Sequence, residues 1–443
     1  MARVAAQLTN FTAGELSPRL DGRVDLAKYP AGCATVENMV IYPHGAAARR
    51  PGTQYIAPVK TSSAKTRLIP FEFSTTQTYI LELGNQYIRF FRDNGQILSG
   101  GSPYEISSPY LTAELFDIKF AQSADVMYIT HPNHKTRKLS RTGHTSWTLT
   151  EVEFTNGPFL DTNTSTTTLT ASGVSGSVTI TASSNTFVST DVGRQVRIGS
   201  GHSKITAFGS ATSVTVTTTT NFPNTNASTD WSLGAFSTTT GHPSCVSFFE
   251  QRLVFAATLN NPQTVYFSKS GDYENMDANI GGTVADDDAI IYTIASNQVN
   301  AIRFMAASRT LIIGTAGGEF TVSGGGDNDA VTPTNVMIKK QSNHGAANTD
   351  AIAVGNATLF LQRAKRKIRE LAYNFDVDGY TAPDLTILAE HVTEGNITEM
   401  AYQEEPLAIV WCVRGDGELV ALTYQREQEV VAWHRHVFGG VFG

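Results

Sequence analysis

Arg67–Phe73 reads RLIPFEF, Tyr79–Leu83 reads YILEL and Tyr87–Phe91 reads YIRFF. Apolar and polar residues alternate here, aromatic and β-branched residues are enriched, and short polar breaks separate the runs. A period of two puts successive side chains on opposite faces, the pattern of a half-buried strand. The three runs predict one antiparallel meander.

The same layout recurs along the chain. Phe116–Ala121, Val126–Thr130 and Arg137–Leu139 form a second group. Cys245–Phe249, Leu253–Ala257 and Val265–Ser268 form a third, and Val299–Met305, Leu311–Thr315 and Glu319–Val322 a fourth. Ala351–Val354, Thr358–Leu361 and Ile368–Leu371 follow, and Ile397–Tyr402, Ala408–Val413 and Glu418–Leu422 close the series. About six meander units arrayed on one chain predict a β-propeller or related array. Two stacked β-sandwiches built from the same meanders fit the pattern as well. The expected class is all-β: a distorted β-propeller-like array of antiparallel meanders, carried by residues 61–155 and 241–443.

Two segments depart from this pattern. In residues 1–60, Pro18, Pro30, Pro43 and Pro51 break any long element. Such a segment cannot offset its own ordering entropy alone and is expected to be an irregular arm or platform lying on something else. Residues 156–240 are Thr-rich, notably Thr162–Thr170 and Val214–Thr220. Threonine favours exposed strands. Phe187, Val192, Phe208 and Trp231 call for a core, so an inserted small β-sandwich is expected there rather than a disordered stalk. Few helices are predicted. Thr112–Leu115 and the DLTILAEH stretch after Pro383, with Asp384 able to cap it, are the better positions.

Over 443 residues the formal net charge is −7, which argues against bulk affinity for nucleic acid. Cys33, Cys245 and Cys412 are odd in number and far apart, so no disulfide framework is read, and the thiols are expected to act as small apolar groups. No signal peptide is read at the N-terminus. No run approaches the roughly 18 apolar residues of a membrane span.

Searches for chemistry find little. A phosphate loop, a nucleophile elbow and H-E-x-x-H are all absent. Gly324–Gly326 leads into Asp327 and a proline segment, not a helix, and reads as a turn. Asp286–Asp288 reads as a solvated loop or intersubunit contact, because consecutive residues of an extended chain point to opposite faces. Asp376 and Asp378 with Gly379 lack the remaining ligands of a calcium loop. His434 and His436 share one face of a strand, a weak metal motif with no third ligand nearby in sequence. His131 and His134 flank a Pro–Asn turn and are weaker still. Paired carboxylates for glycoside hydrolysis are not singled out, so no enzyme activity, cofactor or metal is expected. The strongest charge feature is Arg363, Lys365, Arg366, Lys367 and Arg369 at a predicted hairpin tip. It is an exposed turn, a contact with an acidic neighbouring subunit or, less favoured, a contact with passing DNA.

Three stretches resemble a known family. They are Asn10–Arg23 (NFTAGELSPRLDGR), continuing through Asp25–Tyr29 to RRPGT at Arg49–Thr53; Phe248–Ala256 (FFEQRLVFA), followed by Gln263–Tyr273 and Asp286–Val299; and Glu370–Tyr380, Ala389–Thr393, Met400–Gln403 and Thr423–His436. Together they are similar to the tail nozzle, or tail tubular protein B, of short-tailed bacteriophages, over most of the chain except the Thr-rich insert. The resemblance implies a virion structural protein of the podovirus tail, assembled in the host cytoplasm. It implies a homohexameric ring below the portal and tail adaptor, through which genomic double-stranded DNA is ejected, with docking for a tail fibre or tailspike. It brings no catalytic residues. Phe11, Arg19, Arg23, Arg49 and Arg50 match its N-terminal signature and are expected at subunit or adaptor contacts. Deleting residues 1–30 is then expected to abolish tail assembly while leaving folded protein. Family members usually run well past the histidine motif, so their distal tip is not expected in this chain. Two other functions fit a tail: a receptor- or glycan-binding module using the insert and Trp231, and a tail-associated glycan hydrolase.

Overall fold

The structure, a computed structural model, describes residues 8–296, 300–326 and 329–439. The expected strand start at Val299, Asp327 and residues 440–443 lie outside them. Each of the six predicted meanders is built on four antiparallel strands, the first sheet adding the short Gly95–Gln96 and the sixth two short N-terminal strands, and the six sheets are the blades of a β-propeller. The first comprises Arg67–Ser74, Gln77–Gly84, Tyr87–Arg92 and Glu105–Ser107, and the second Lys119–Ser123, Val126–His131, His134–Gly143 and Ser146–Glu151. The third runs from Cys245–Phe249 to Ile290–Thr293, the fourth from Ile302–Ala307 to Met337–Ser342. The fifth runs from Ile352–Val354 to Gly379–Thr381, the sixth from Ile397–Gln403 to Val430–His436. The first strands gather around a central cavity. Arg67, Lys119, Ser247, Ala306, Ala353 and Glu399, one from each, line it.

Period-two alternation explains how the blades stack. One face of a blade packs on the blade before it, the other on the blade after. Phe71, Leu81 and Phe90 of the first blade meet Met127, Ile129 and Trp147 of the second. Trp147 stacks on Phe90 at 4.5 Å between ring centres and meets Phe71 edge-on at 4.8 Å. Tyr128 and Phe255 link the second and third blades, Val254 and Ile313 the third and fourth, Phe304 and Phe360 the fourth and fifth, and Leu359 and Leu422 the fifth and sixth. Each such side chain contributes about 1.5–3 kcal/mol when fully buried.

Among the described residues, no such core joins the sixth blade to the first. The free face of the sixth blade carries Ile409, Ala421, Val430 and Ala432, and the N-terminal segment covers it. Val40 and Ile41, from the hairpin of Met39–Ile41 and Ala47–Arg49, pack on these residues. The expected platform therefore lies on the propeller. Part of it also enters the propeller: Gly14–Glu15 pairs in parallel with the last strand, through Gly14 and Trp433, and with Gly32–Cys33. Gly14 has φ +64°, and a Cβ there would sit 2.5 Å from the Trp433 nitrogen, so only glycine permits this approach.

Glu15 follows, fully buried. It accepts from the Val36 N–H at 2.8 Å and pairs with Arg435 at 2.7 Å and His391 at 2.8 Å. The expectation that residues 1–30 can be removed without harm to the fold is corrected here. They include a strand and a buried anion of the last blade.

The insert lies between the second and third blades as a small β unit with its own core, but as one curled sheet and not the expected sandwich of two. Its six strands, from Leu169–Ala171 to Trp231–Leu233, hydrogen-bond in one sheet that curls back to bridge Leu169 with Ser228. Its core holds Ile180, Phe187, Val196 and Val216, with Phe208 and Trp231 packed against it, whereas Val192, expected in the core, is exposed; its threonines face outward along Ser213–Thr220.

Two local expectations change. Thr112–Asp117 is a single 3-10 segment that takes in Phe116 and Asp117, so the strand predicted from Phe116 begins at Lys119. The stretch after Pro383 is not a helix. Asp384 does cap, accepting from the Thr386 N–H at 2.9 Å, but separate turns follow, closed by Ala389 on Thr386 and Val392 on Ala389. Leu385, Ala389 and Val392 are drawn into the core of the fifth and sixth blades, which a regular helix at this point would not allow.

Candidate functional site

In a four-stranded antiparallel blade, the turn between the second and third strands emerges on the same face as the link to the next blade. The predicted basic hairpin is such a turn. It joins Ala357–Leu361 to Ile368–Asn374 in the fifth blade. Residues 363–367 are exposed, and Lys365 holds a left-handed backbone with φ +60°. Three of the five cations are engaged. Arg366 pairs with Glu394 at 3.3 Å and Lys367 with Asp384 at 2.8 Å, while Arg369 donates to the Ala382 carbonyl at 2.6 Å. Arg363 and Lys365 have no acidic partner among the described residues.

The link between the fifth and sixth blades rises beside this turn, and the N-terminal arm lies against it. Ser17 donates to Glu390 at 2.8 Å, and Arg19 reaches the same carboxylate at 3.4 Å while staying 85% exposed. Arg19, Arg366, Lys367, Asp384, Glu390 and Glu394 line one cleft of about 790 Å³. The structure thus brings together one signature residue and the basic turn, far apart in sequence. The other signature residues disperse. Phe11 packs under the arm on Val36 and Ile41. Among the described residues Arg23 pairs only with its neighbour Asp25, and both are exposed. Arg49 is exposed at the end of a strand, and Arg50 lies 3.8 Å over the Phe438 ring.

The central cavity, of about 720 Å³, is crossed by charge. Arg67 pairs with Glu399 at 3.0 Å, spanning the first and sixth blades, and with Asp350 at 3.5 Å. Lys119 of the second blade reaches Asp350 at 2.9 Å. Arg67 also donates to the carbonyls of Leu115 and Ile118. Two cations thus face two anions, and these bonds tie the first, second and sixth blades and the link into the fifth together across the axis.

The remaining sequence motifs resolve into structure. Arg252, in FFEQRLVFA, donates to the carbonyls of Ser268, Asp286 and Asp288, so the family-like middle block is a clamp on its own loop. Asp288 is buried against Lys269 at 3.0 Å, unlike its exposed neighbours, so the Asp286–Asp288 run is only partly a solvated loop. Asp378, with φ +46°, ends a tight turn. His434 and His436 do share a face, and both are buried. Their rings hydrogen-bond to one another at 2.7 Å, and His434 meets Thr423 at 3.1 Å. Burial pushes His434 down to about 3 and His436 down to about 4, so both are neutral near pH 7. No third metal-ligating group joins them among the described residues.

His131 and His134 have a partner that the sequence reading missed. Glu114, in the 3-10 link between the first and second blades, meets them at the turn joining Val126–His131 to His134–Gly143. The ligating atoms of the three lie within 4.8 Å of one another. Burial works to raise the Glu114 carboxyl, but bonds from the Leu111 N–H and His134 outweigh it and hold it below its ordinary range. Burial lowers His131. The H-x-x-H spacing was visible in sequence, but the carboxylate comes from another element and carries no local signal. Arg67, Lys119, Asp350 and Glu399 were missed for the same reason.

No family model matches this chain, and neither does any curated protein. Among solved structures, it is similar to the WD40 domain of Neurospora crassa Pan2, with 10% identity over 73% of this chain and 79% of that one and a TM-score of 0.31. It is also similar to YCF48 bound to D1 peptide, with 10% identity, 84% of each chain and a TM-score of 0.35. A third is Kluyveromyces lactis Hsv2p, with 8% identity, 83% of this chain, 97% of that one and a TM-score of 0.34. At TM-scores this low the likenesses carry no argument. The propeller rests on its own six sheets. No helix among the described residues is long and apolar enough to cross a membrane.

Proposed function

We propose that this chain is a virion structural protein, a tail nozzle subunit that forms a homohexameric ring below the portal and tail adaptor. The observation that carries the reading is the meeting of its first and last family-like stretches. Gly14 and Glu15 of the N-terminal signature seat on Trp433 and Arg435 of the C-terminal block, which makes the two motifs one structural seam. With the seam formed, Arg19, Arg363 and Lys365 remain outward on one face, suited to an acidic neighbouring subunit or adaptor.

In this reading the genome passes through the lumen between subunits. The propeller's own cavity is crossed by the Arg67, Lys119, Asp350 and Glu399 pairs. The proposed role is not enzymatic, and a tail fibre or tailspike docks on the outer surface. Assembly takes place in the host cytoplasm and the product resides in the virion tail. The glycan-binding alternative is less favoured. Trp231 is half-buried, its Nε1 donates to the Thr167 carbonyl at 2.9 Å, and it packs on the insert's core rather than standing free as a stacking platform.

The test is a double charge reversal, Arg363→Glu with Lys365→Glu, in the full chain. The variant is expected to fold with an unchanged unfolding midpoint yet lose incorporation into tails, together with DNA release. Normal tails from that variant remove the basic turn from the account.

A further inference from the structure

The cluster at Glu114, His131 and His134 opens on the same face as the basic turn but on other blades, and takes no part in the contacts described for that turn or for the central cavity. Part of it has an ordinary explanation. His134 Nε2 lies 2.9 Å from Glu114 Oε2, and the same oxygen accepts the Leu111 N–H at 2.9 Å, so these two residues make a hydrogen-bonded pair. That pair leaves His131 unexplained. His131 is 2% exposed, and its Nε2 has no hydrogen-bond partner. A buried polar atom without a partner is costly, and nearly all such atoms in folded proteins are satisfied. The hydroxyl of Tyr110, fully buried with its ring 5.2 Å from His134, also has no partner. One orphaned buried polar atom thus lies within the His–His–carboxylate set and a second lies beside it.

We infer that Glu114, His131 and His134 form a binding site for a zinc-class divalent cation. Two imidazoles and one carboxylate are a donor set this borderline-soft ion takes, with bonds of about 2.0–2.2 Å. Glu114 Oε1 is uncommitted, and His134 Nε2 releases its proton from the present bond to Glu114 when it ligates. On His131 neither nitrogen is held by a strong bond. Nε2 is unused, and Nδ1 accepts only a 3.2 Å bond from the N–H of Asn133, an exposed residue that water can satisfy instead. Glu114 and His134 retain partial exposure, 19% and 23% of their side chains, which gives the ion a route in. The bound ion would tie the link between the first two blades to a turn of the second, and three protein ligands leave one position for water.

The test uses the full chain, stripped with a chelator and titrated with zinc chloride alone by calorimetry, beside Glu114→Gln and His134→Gln. Both substituted residues are partly exposed, and far-ultraviolet circular dichroism checks that the variants are folded. One zinc ion per chain is expected, with at least tenfold weaker binding in each variant, a zinc-dependent rise in Tm for the parent only, and no uptake of magnesium. Cobalt substitution is expected to give the visible bands of a four-coordinate site in the parent. Zinc binding of equal strength in the parent and both variants, or none in the parent, overturns the assignment.

Discussion

Replacing Glu15 probes the seam between the N-terminal arm and the sixth blade. Its carboxylate is fully buried and takes bonds from the Val36 N–H, from Arg435 through two nitrogens at 2.7 and 3.1 Å, and from His391. Glu15→Ala removes the anion and leaves these donors facing a void. Removing one partner of a buried ion pair costs about 3–5 kcal/mol. Arg435 is 32% exposed and can recover part of its hydration, which brings the expectation to the lower end, about 3 kcal/mol. Glu15→Gln keeps the shape and an accepting oxygen but loses the charge, and is expected to cost about half as much. Urea unfolding followed by tryptophan fluorescence measures both, because Trp433 sits at the seam. The order Ala worse than Gln worse than parent is expected. A loss below about 1 kcal/mol for Glu15→Ala would mean that the arm is peripheral to the sixth blade.

Three further outcomes follow from the same structure. Gly14→Ala forces a left-handed alanine against the Trp433 backbone and is expected to cost at least about 2 kcal/mol, with limited proteolysis newly cutting within the arm. Trp147→Ala empties the aromatic cluster of the first two blades and is expected to cost about 3–5 kcal/mol in the same urea assay. His434 and His436 ionise at depressed values in the folded chain, near 3 and 4, against 6.5 when unfolded. Their contribution is therefore complete above pH 6.5 and is lost as pH falls toward 4, so urea midpoints should drop between pH 7 and 4.5. The drop should be smaller in a His434→Leu, His436→Phe variant.

The propeller was legible because its inner three strands per blade are apolar on both sides of a blade stack. RLIPFEF and its five counterparts each begin a sheet where alternation placed one. The fourth strands were mostly not legible. Glu105–Ser107, Met337–Ser342 and Gly379–Thr381 lie at the outer rim, where solvent takes one side and apolar alternation is not required. Gly14–Glu15 was hidden for another reason. Two residues carry no periodicity, and their partner lies at the other end of the chain. The pairing of His434 and His436 on one face followed from the period of two. Their burial did not, since it depends on the arm folding over the sixth blade. Charged groups were the least legible. Arg67 reads as a polar strand position, yet it crosses the central cavity to Glu399, and Arg19 meets the basic turn only through the link at Glu390.

Electron microscopy of the purified full chain, alone and mixed with a tail adaptor ring, tests the proposed ring assembly. Six-fold rings with a central hole are expected, each subunit carrying one six-bladed disc and a side lobe for the insert. Single propellers that stay monomeric in both preparations would contradict it.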